Sequence, residues 1–353
     1  MQLYMPTKMY SQKDCVLAHG KELRALGTKA MIVTGKTSAV KTGALADVLQ
    51  ALEDVPYVIF DRIEENPSIE TAVEAQKIAV AEKVDFFIGI GGGSAMDAAK
   101  AISLLAKNYP MGEEILYDPA VLPYYPVVCV PTTCGTGSEA TPYAILTIHK
   151  KQTKKSISHR IYPEIALLDD KYLRSLPRSI LVNTCVDALA HLLESFLNTN
   201  SNELNRVYSR EGLCLWRTFR ERLLEDKVTE EDYRVMLHAS MLAGLAITHT
   251  GTSLPHGLSY AVTYHLGIPH GKAVGIFLGG YVENGGEEAV EAVKLLGFET
   301  AGQFRAYMRK LLGVVDVPEE LLRSAAKMIL ADPGKMKNCP FPVTQAQLVD
   351  MIN

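Results

Sequence analysis

Gly89–Ile102 reads GIGGGSAMDAAKAI, and it closes the apolar run VDFFI that begins at Val84. Three consecutive glycines, Gly91, Gly92 and Gly93, end that run, and small residues at helical spacing follow from Ser94 to Ala106. The pattern predicts a strand, a tight turn and a helix. A backbone without Cβ atoms turns sharply and lets its N–H groups approach a ligand closely. A helix N-terminus adds unpaired donors and a partial positive charge, which suits phosphate oxygens. Ser94 would cap the helix or donate to phosphate, and Asp97 lies one turn in. The same pattern also fits a strand-to-helix turn that holds nothing.

A second loop favours the ligand. PTTCGTGSEAT, Pro131–Thr141, again follows a strand and places Thr132, Thr133, Thr136 and Ser138 among two glycines. Two such loops at strand ends of one sheet suggest a dinucleotide lying across them, because open α/β sheets bind ligands at the carboxyl ends of their strands.

Outward from these loops the chain divides. KAMIVTG, YVIFDRI, VDFFIGIGGGS, PVVCVPTT, AILTIH and EIALLDD read as strands up to about residue 178, with helical patterns between them. Ser68 in NPS is a natural N-cap. Alternation with near-continuous apolar strands predicts a parallel, Rossmann-like sheet covered on both faces. Beyond Arg178, the segments ILVNTCVDALAHLLESFL, YRVMLHASMLAGLAIT and LLRSAAKMILA have helical period and length. We therefore expect an α/β domain over residues 1–177, an all-helical domain over 178–353, and an active-site cleft between them.

TGKTS, Thr34–Ser38, resembles the end of a phosphate-binding P-loop, but Ala30 stands where that motif needs a glycine. The position is informative for another reason. An acid near such a strand end selects NAD by bonding the ribose 2′-hydroxyl. Here Gly35 and Lys36 leave room and charge for a 2′-phosphate, so NADP is favoured over NAD.

Composition narrows the class. The net charge is −4, 48% of residues are hydrophobic, and no basic cluster alternates with aromatics, which argues against nucleic acid. The six cysteines form no CxxC pair and read as reduced thiols of a cytoplasmic protein. The start MQLYMPTKMY lacks the pattern of a signal peptide, and the longest apolar run, near Ala273–Val282, is too short to span a membrane.

In DALAHLLESF, Asp187 and His191 stand four residues apart, and Glu194 shares their stripe, while Leu189, Leu192, Leu193 and Phe196 form the other face. That spacing suits two ligands of one ion, although taken alone it more commonly marks a surface ion pair. LPHGLSYAVTYHLGIPHGKAVG supplies His256 at a helix start, Gly267 as a helix stop and His270 at the next helix start. One carboxylate and three imidazoles fit a divalent cation with a position open for substrate. His159, His238, His249 and His265 read as ordinary surface or core histidines.

Together the motifs resemble the iron-containing, or group III, alcohol dehydrogenases. Their GGGS turn, PTTxGTGSE loop, DAxxH helix, and histidine followed fourteen residues later by that of PHG stand here at Gly91–Ser94, Pro131–Glu139, Asp187–His191, and His256 with His270. YMPTKMY, VTGKTS and the closing CPFPVTQAQLVDMI look most like 1,3-propanediol or butanol dehydrogenases. The resemblance implies that Asp187, His191, His256 and His270 bind Fe²⁺, or Zn²⁺ as in some relatives. It implies that Gly91, Gly92, Gly93 and Ser94 hold the pyrophosphate, and that Thr132, Thr133 and Ser138 line the nicotinamide side with Asp97 beside them. One lysine of the pair Lys154/Lys155, taken as Lys155, would contact the cofactor. One position departs from the pattern. Many members carry a further histidine one helical turn after the first of the closing pair, and this chain has Tyr260; either Tyr260 would donate a hydrogen bond to the substrate or a metal-bound water network would carry the proton.

The implied activity is a metal-dependent, NAD(P)-linked alcohol dehydrogenase or aldehyde reductase for short primary alcohols or diols, with no nucleic-acid or membrane partner and a homodimer left open. The rival readings are a glycerol dehydrogenase-like or dehydroquinate synthase-like enzyme of the same fold, or a non-enzymatic nucleotide-binding protein.

Overall fold

The computed structural model describes residues 3–352, which divide into two compact units. One comprises Tyr4–Thr133 and Ser138–Leu176; the other comprises Leu3, Cys134–Gly137 and residues 177–352. The segment Cys134–Gly137, in the middle of the PTT loop, thus packs with the helical unit.

The first unit is built on β1 (Lys8–Ser11), β2 (Ala30–Thr34), β3 (Tyr57–Phe60), β4 (Phe86–Gly91), β5 (Val127–Pro131), β6 (Ile145–Ile148), β7 (Thr153–Ser156) and β8 (Ile165–Leu168). Six of them form one sheet in the order β1-β8-β5-β4-β2-β3, with every neighbouring pair parallel. Both faces of this sheet are covered. Met31, Val33, Phe87, Val127 and Cys129 enter one buried core, and Ala30, Ile32, Phe86, Ile88, Ile90, Val128 and Val130 enter the other. Both residues of each alternating pair are therefore apolar, which is why these strands read as unbroken hydrophobic runs.

The chain passes from β2 outward to β3 and then returns to β4 on the other side of β2. This reversal is the switch point at which ligands bind in open α/β sheets. The register sets Thr34 opposite Ile90 and Gly91 opposite Pro131, so Gly35, the glycine turn and the PTT loop all leave the same sheet end.

Three strands depart from the sequence-based picture, among them β7, TKKS, which no apolar run announces. AILTIH does form a strand, β6, but it pairs antiparallel with β7 in a separate hairpin and not in the main sheet. β1, KMYS, was not expected. It is a half-exposed edge strand without the apolar continuity of its neighbours.

The second unit is helical. Its first long helix, Arg178–Phe196, packs against Arg206–Leu224 and Glu230–Thr250. Local signals set the boundaries. Thr229 and Asp232 form a reciprocal capping box at the start of Glu230–Thr250. Pro255 stands in the first turn of Leu254–Leu266, and Gly267, at φ 64°, ends that helix in the left-handed region. The short helix His270–Gly275 follows. No described helix is long and apolar enough to cross a membrane.

Candidate functional site

In the α/β unit, β4 ends at Gly91, and the helix Gly93–Lys107 starts two residues later. Gly91 has φ 151°, a region that side chains rarely tolerate, and a Cβ there would lie 2.9 Å from the Cβ of Ala95. The Thr132 amide donates to the Gly91 carbonyl at 2.9 Å, tying the PTT loop to the turn. A Cβ on Gly92 would meet Thr133 Oγ1 at 3.2 Å, so Thr133 lies directly over the turn. Thr132 Oγ1 is buried without a hydrogen-bond partner among the described residues. Ser94 is half-buried, and its Oγ accepts from the Asn66 amide at 3.2 Å. Gly35 is half-buried, Lys36 is exposed, and Ser38 Oγ lies 4.0 Å from where a Gly91 Cβ would stand.

Asp97 and Ser138 are bonded to each other. Ser138 Oγ donates to Asp97 Oδ1 at 2.5 Å, and the Ile145 amide donates to Asp97 Oδ2 at 2.9 Å. Both belong to a network around Lys100, which is fully buried in the same helix. Its Nζ donates to Ser138 O at 2.7 Å, Ser138 Oγ at 2.8 Å, Tyr143 O at 2.8 Å and Thr141 O at 3.0 Å, and lies 3.8 Å from Asp97 Oδ1. A lysine clamp therefore folds the loop after the PTT motif onto the helix. Sequence reading passed over Lys100; its one signal is that it stands, with Asp97 three residues earlier, as one of two charges in the otherwise small and apolar run AMDAAKAI.

The β7 alternation separates the lysine pair. Lys155 is exposed and lies over the Tyr117 ring at 5.1 Å. Lys154 is buried, and its Nζ donates to Asn66 Oδ1 at 2.5 Å. Because Asn66 also bonds Ser94, Lys154 and not Lys155 stands toward the glycine turn.

In the helical unit, Asp187, His256 and His270 converge, with one ligand atom of each within 4.8 Å of the others. Asp187 Oδ1 lies 3.3 Å from His256 Nε2 and 3.6 Å from His270 Nε2. Asp187 and His256 are buried, and His270 is half-buried. His191 falls outside that group of three, but its ring stacks on that of His256 at 4.4 Å, and its Nδ1 approaches the Gly135 carbonyl at 3.4 Å. A ring that donates from Nδ1 keeps a lone pair on Nε2. Tyr260 is half-buried, and its ring stacks against His270 at 6.1 Å. Close packing places His270: a Cβ on the adjoining Gly271 would lie 1.8 Å from the Asn183 carbonyl oxygen, so only glycine lets the His270 helix rest against Arg178–Phe196.

The electrostatics are those of a site built for positive charge. Burial alone would raise the Asp187 pKa, but His191, His270 and His256 overcome it and hold the carboxyl well below the usual range. Burial pushes His191 down to about 4 and keeps it neutral. Burial opposes charge on His256 as well, yet Glu194 and Asp187 lift it to about 9. Asp187 Oδ1 and His256 Nε2 are nevertheless both buried without a hydrogen-bond partner among the described residues. Buried polar atoms are rarely left so, and a carboxylate oxygen facing imidazole nitrogens is the donor set of a divalent transition metal. The residues fit such an ion.

The other histidines serve the fold or the surface. His159 bonds the Ile115 carbonyl, His249 bonds the Leu245 carbonyl of its own helix, and His265 is exposed.

Comparison with known proteins agrees over nearly the full length. Residues 6–170 match the iron-containing alcohol dehydrogenase family model, and residues 181–352 match the model of the C-terminal part of the Fe-containing alcohol dehydrogenase family. The structure superposes on an iron-containing alcohol dehydrogenase from Thermotoga maritima with a TM-score of 0.92 at 33% identity, covering 99% of this chain and 98% of that one. A mitochondrial hydroxyacid-oxoacid transhydrogenase of Caenorhabditis elegans is 31% identical over 283 residues, which span 71% of this chain and only 60% of that enzyme. An NADPH-dependent butanol dehydrogenase of Clostridium saccharobutylicum is 26% identical over 286 residues, 79% of this chain and 72% of that one. The chain belongs to the iron-containing alcohol dehydrogenase family.

Proposed function

We propose that this chain is a metal-dependent, NAD(P)-linked alcohol dehydrogenase that interconverts short primary alcohols or diols with their aldehydes. The observation that carries the reading is the pair of buried atoms Asp187 Oδ1 and His256 Nε2, 3.3 Å apart and each without a hydrogen-bond partner among the described residues, with His270 Nε2 3.6 Å from the same carboxylate oxygen. Asp187, His256 and His270, with His191 stacked beside them, would hold Fe²⁺ or Zn²⁺. The turn Gly91–Ser94, with Thr132 and Thr133, would hold the nicotinamide dinucleotide. When bound, these groups supply Lewis acidity that lowers an alcohol's pKa and an acceptor for its hydride.

The chain's own residues supply placement. Burial of Asp187 and His256 keeps water from competing for their lone pairs. Tyr260, whose ring lies against His270, would donate a hydrogen bond from its hydroxyl to the substrate oxygen, in place of the histidine usual at that position. Gly35 and Lys36, at the strand end next to the glycine turn, favour NADP.

The test is NADPH and NADH oxidation by purified protein with butanal, 3-hydroxypropanal or an oxoacid, with and without added Fe²⁺ under anaerobic conditions. Metal-dependent turnover of an aldehyde, lost in H270A, is the expected result. Absence of turnover with every pair overturns the reading.

A further inference from the structure

Glu194 is fully buried, two helical turns from Asp187 on the Arg178–Phe196 helix. A buried carboxylate needs several donors to be tolerated, and Glu194 has three from one neighbouring segment. Its Oε1 accepts from the His256 amide at 2.9 Å. Its Oε2 accepts from the Ser253 amide at 3.2 Å and from His256 Nδ1 at 2.6 Å.

Two consequences follow. The amides of Ser253 and His256 stand at the start of the helix Leu254–Leu266, where backbone donors have no intrahelical partner. Glu194 therefore caps that helix from another one and fixes where His256 begins. The bond at Nδ1 also decides the ring's tautomer. A carboxylate can only accept, so Nδ1 carries a proton, and Nε2, 3.3 Å from Asp187 Oδ1, is the nitrogen left to serve as a ligand once a metal displaces its proton.

We propose that Glu194 is the positioning residue of the metal centre: it locks His256 in the Nδ1–H tautomer and anchors its helix end, so that Nε2 is presented as a ligand. The inference rests on the reading of Asp187, His256 and His270 as metal ligands and goes beyond it, because it assigns the centre's binding strength to a residue that touches no metal. Glutamine at this position cannot reproduce the role. In one orientation its NH₂ faces Nδ1 and the Ser253 amide, which demands the Nε2–H tautomer. In the other it faces the His256 amide, donor against donor.

Two measurements test this. Zinc affinity of wild type and E194Q is read by chelator competition, and ¹⁵N-histidine NMR of the zinc-loaded wild type reads the His256 tautomer. We expect wild type to bind one zinc, E194Q to bind it about 10–100-fold more weakly, and His256 to carry its proton on Nδ1. E194Q zinc affinity within about twofold of wild type overturns the proposal, as does a His256 protonated at Nε2. A wild type that binds no zinc overturns the metal-centre reading beneath it, a distinct result. Zinc on Nε2 by itself leaves the proton on Nδ1, so the same spectra of the native chain also follow the exchange of that proton with water: an Nδ1 proton protected by Glu194 is expected, and one that exchanges freely overturns the proposal even where E194Q does not fold.

Discussion

The glycine turn of the α/β unit and the Asp/His cluster of the helical unit are built by opposite means. The turn is made by removing side chains. Gly91 adopts φ 151°, Gly92 leaves space beneath Thr133, and what remains is backbone at a helix N-terminus. Its geometry is set by four consecutive residues and by strand ends already in register. The cluster is made by adding side chains from three helices, with Asp187 and His270 separated by more than eighty residues of chain. Its geometry is set by packing. A backbone site tolerates changes in its surroundings and fails at a single φ angle, whereas a side-chain site fails wherever its supporting contacts are disturbed.

The largest expected effect separates the two units by stability. K100M removes the ammonium that satisfies the carbonyls of Ser138, Thr141 and Tyr143 and balances Asp97. Breaking a buried charge network costs about 3–5 kcal/mol, and urea unfolding should show that loss while zinc affinity stays at the wild-type value. A loss under about 1 kcal/mol would mean that the clamp adds nothing beyond the volume of the side chain. Next is G271A. The added methyl lies 1.8 Å from a backbone oxygen that cannot swing away, so the His270 helix must shift. Overpacking of this kind costs up to about 3 kcal/mol. Because a site must be held to about 0.5 Å, zinc affinity should fall at least about tenfold, whereas NADPH affinity should not change.

This contrast also explains what could be read from the sequence. β2, β4 and β5, the turn between β4 and its helix, and the capping of Ile69–Ala81 by Ser68 were legible because each is decided within a few residues by apolar runs, glycines and a cap. Among the candidate ligands, His256 and His270 were legible because they stand at helix starts, and Asp187 and His191 because they share one stripe of a helix whose other face is apolar. The roles of Lys100 and Glu194 were not, since each acts through partners 38 to 62 residues away that only the folded chain brings near. Glu194 stood in view on the Asp187 stripe, but nothing local said that three donors would meet it. The choice between Lys154 and Lys155 depended on which face of β7 is covered, and a short strand of four residues in a two-stranded hairpin carries no periodicity to show it. β1 was missed for the same reason.

G91A tests the turn alone. Alanine at φ 151° costs about 2 kcal/mol, and its Cβ would press on Ala95 at 2.9 Å. The backbone can relieve this only by rotating the amides at the helix start. NADPH affinity, followed by the quenching of protein fluorescence, should therefore drop, with zinc affinity intact. Equal losses of both would show that the two sites are not independently built.

The smallest effect concerns Lys36, which sharpens the backbone side of the comparison. A turn that offers phosphate only backbone donors at a helix N-terminus cannot by itself tell NADP from NAD. Discrimination has to come from a side chain at the neighbouring strand end, where Gly35 offers none and Lys36 is the first cation. Lys36 is exposed, so its attraction for a 2′-phosphate is screened by water and salt. K36A should raise the Kd for NADPH by only about fivefold, the range of an exposed ion pair, and leave that for NADH unchanged. The ratio of the two constants is the readout, because a general disturbance of the loop moves both together. If the ratio stays at its wild-type value, preference between the cofactors is set by the open space at Gly35, and G35D becomes the substitution that reverses it.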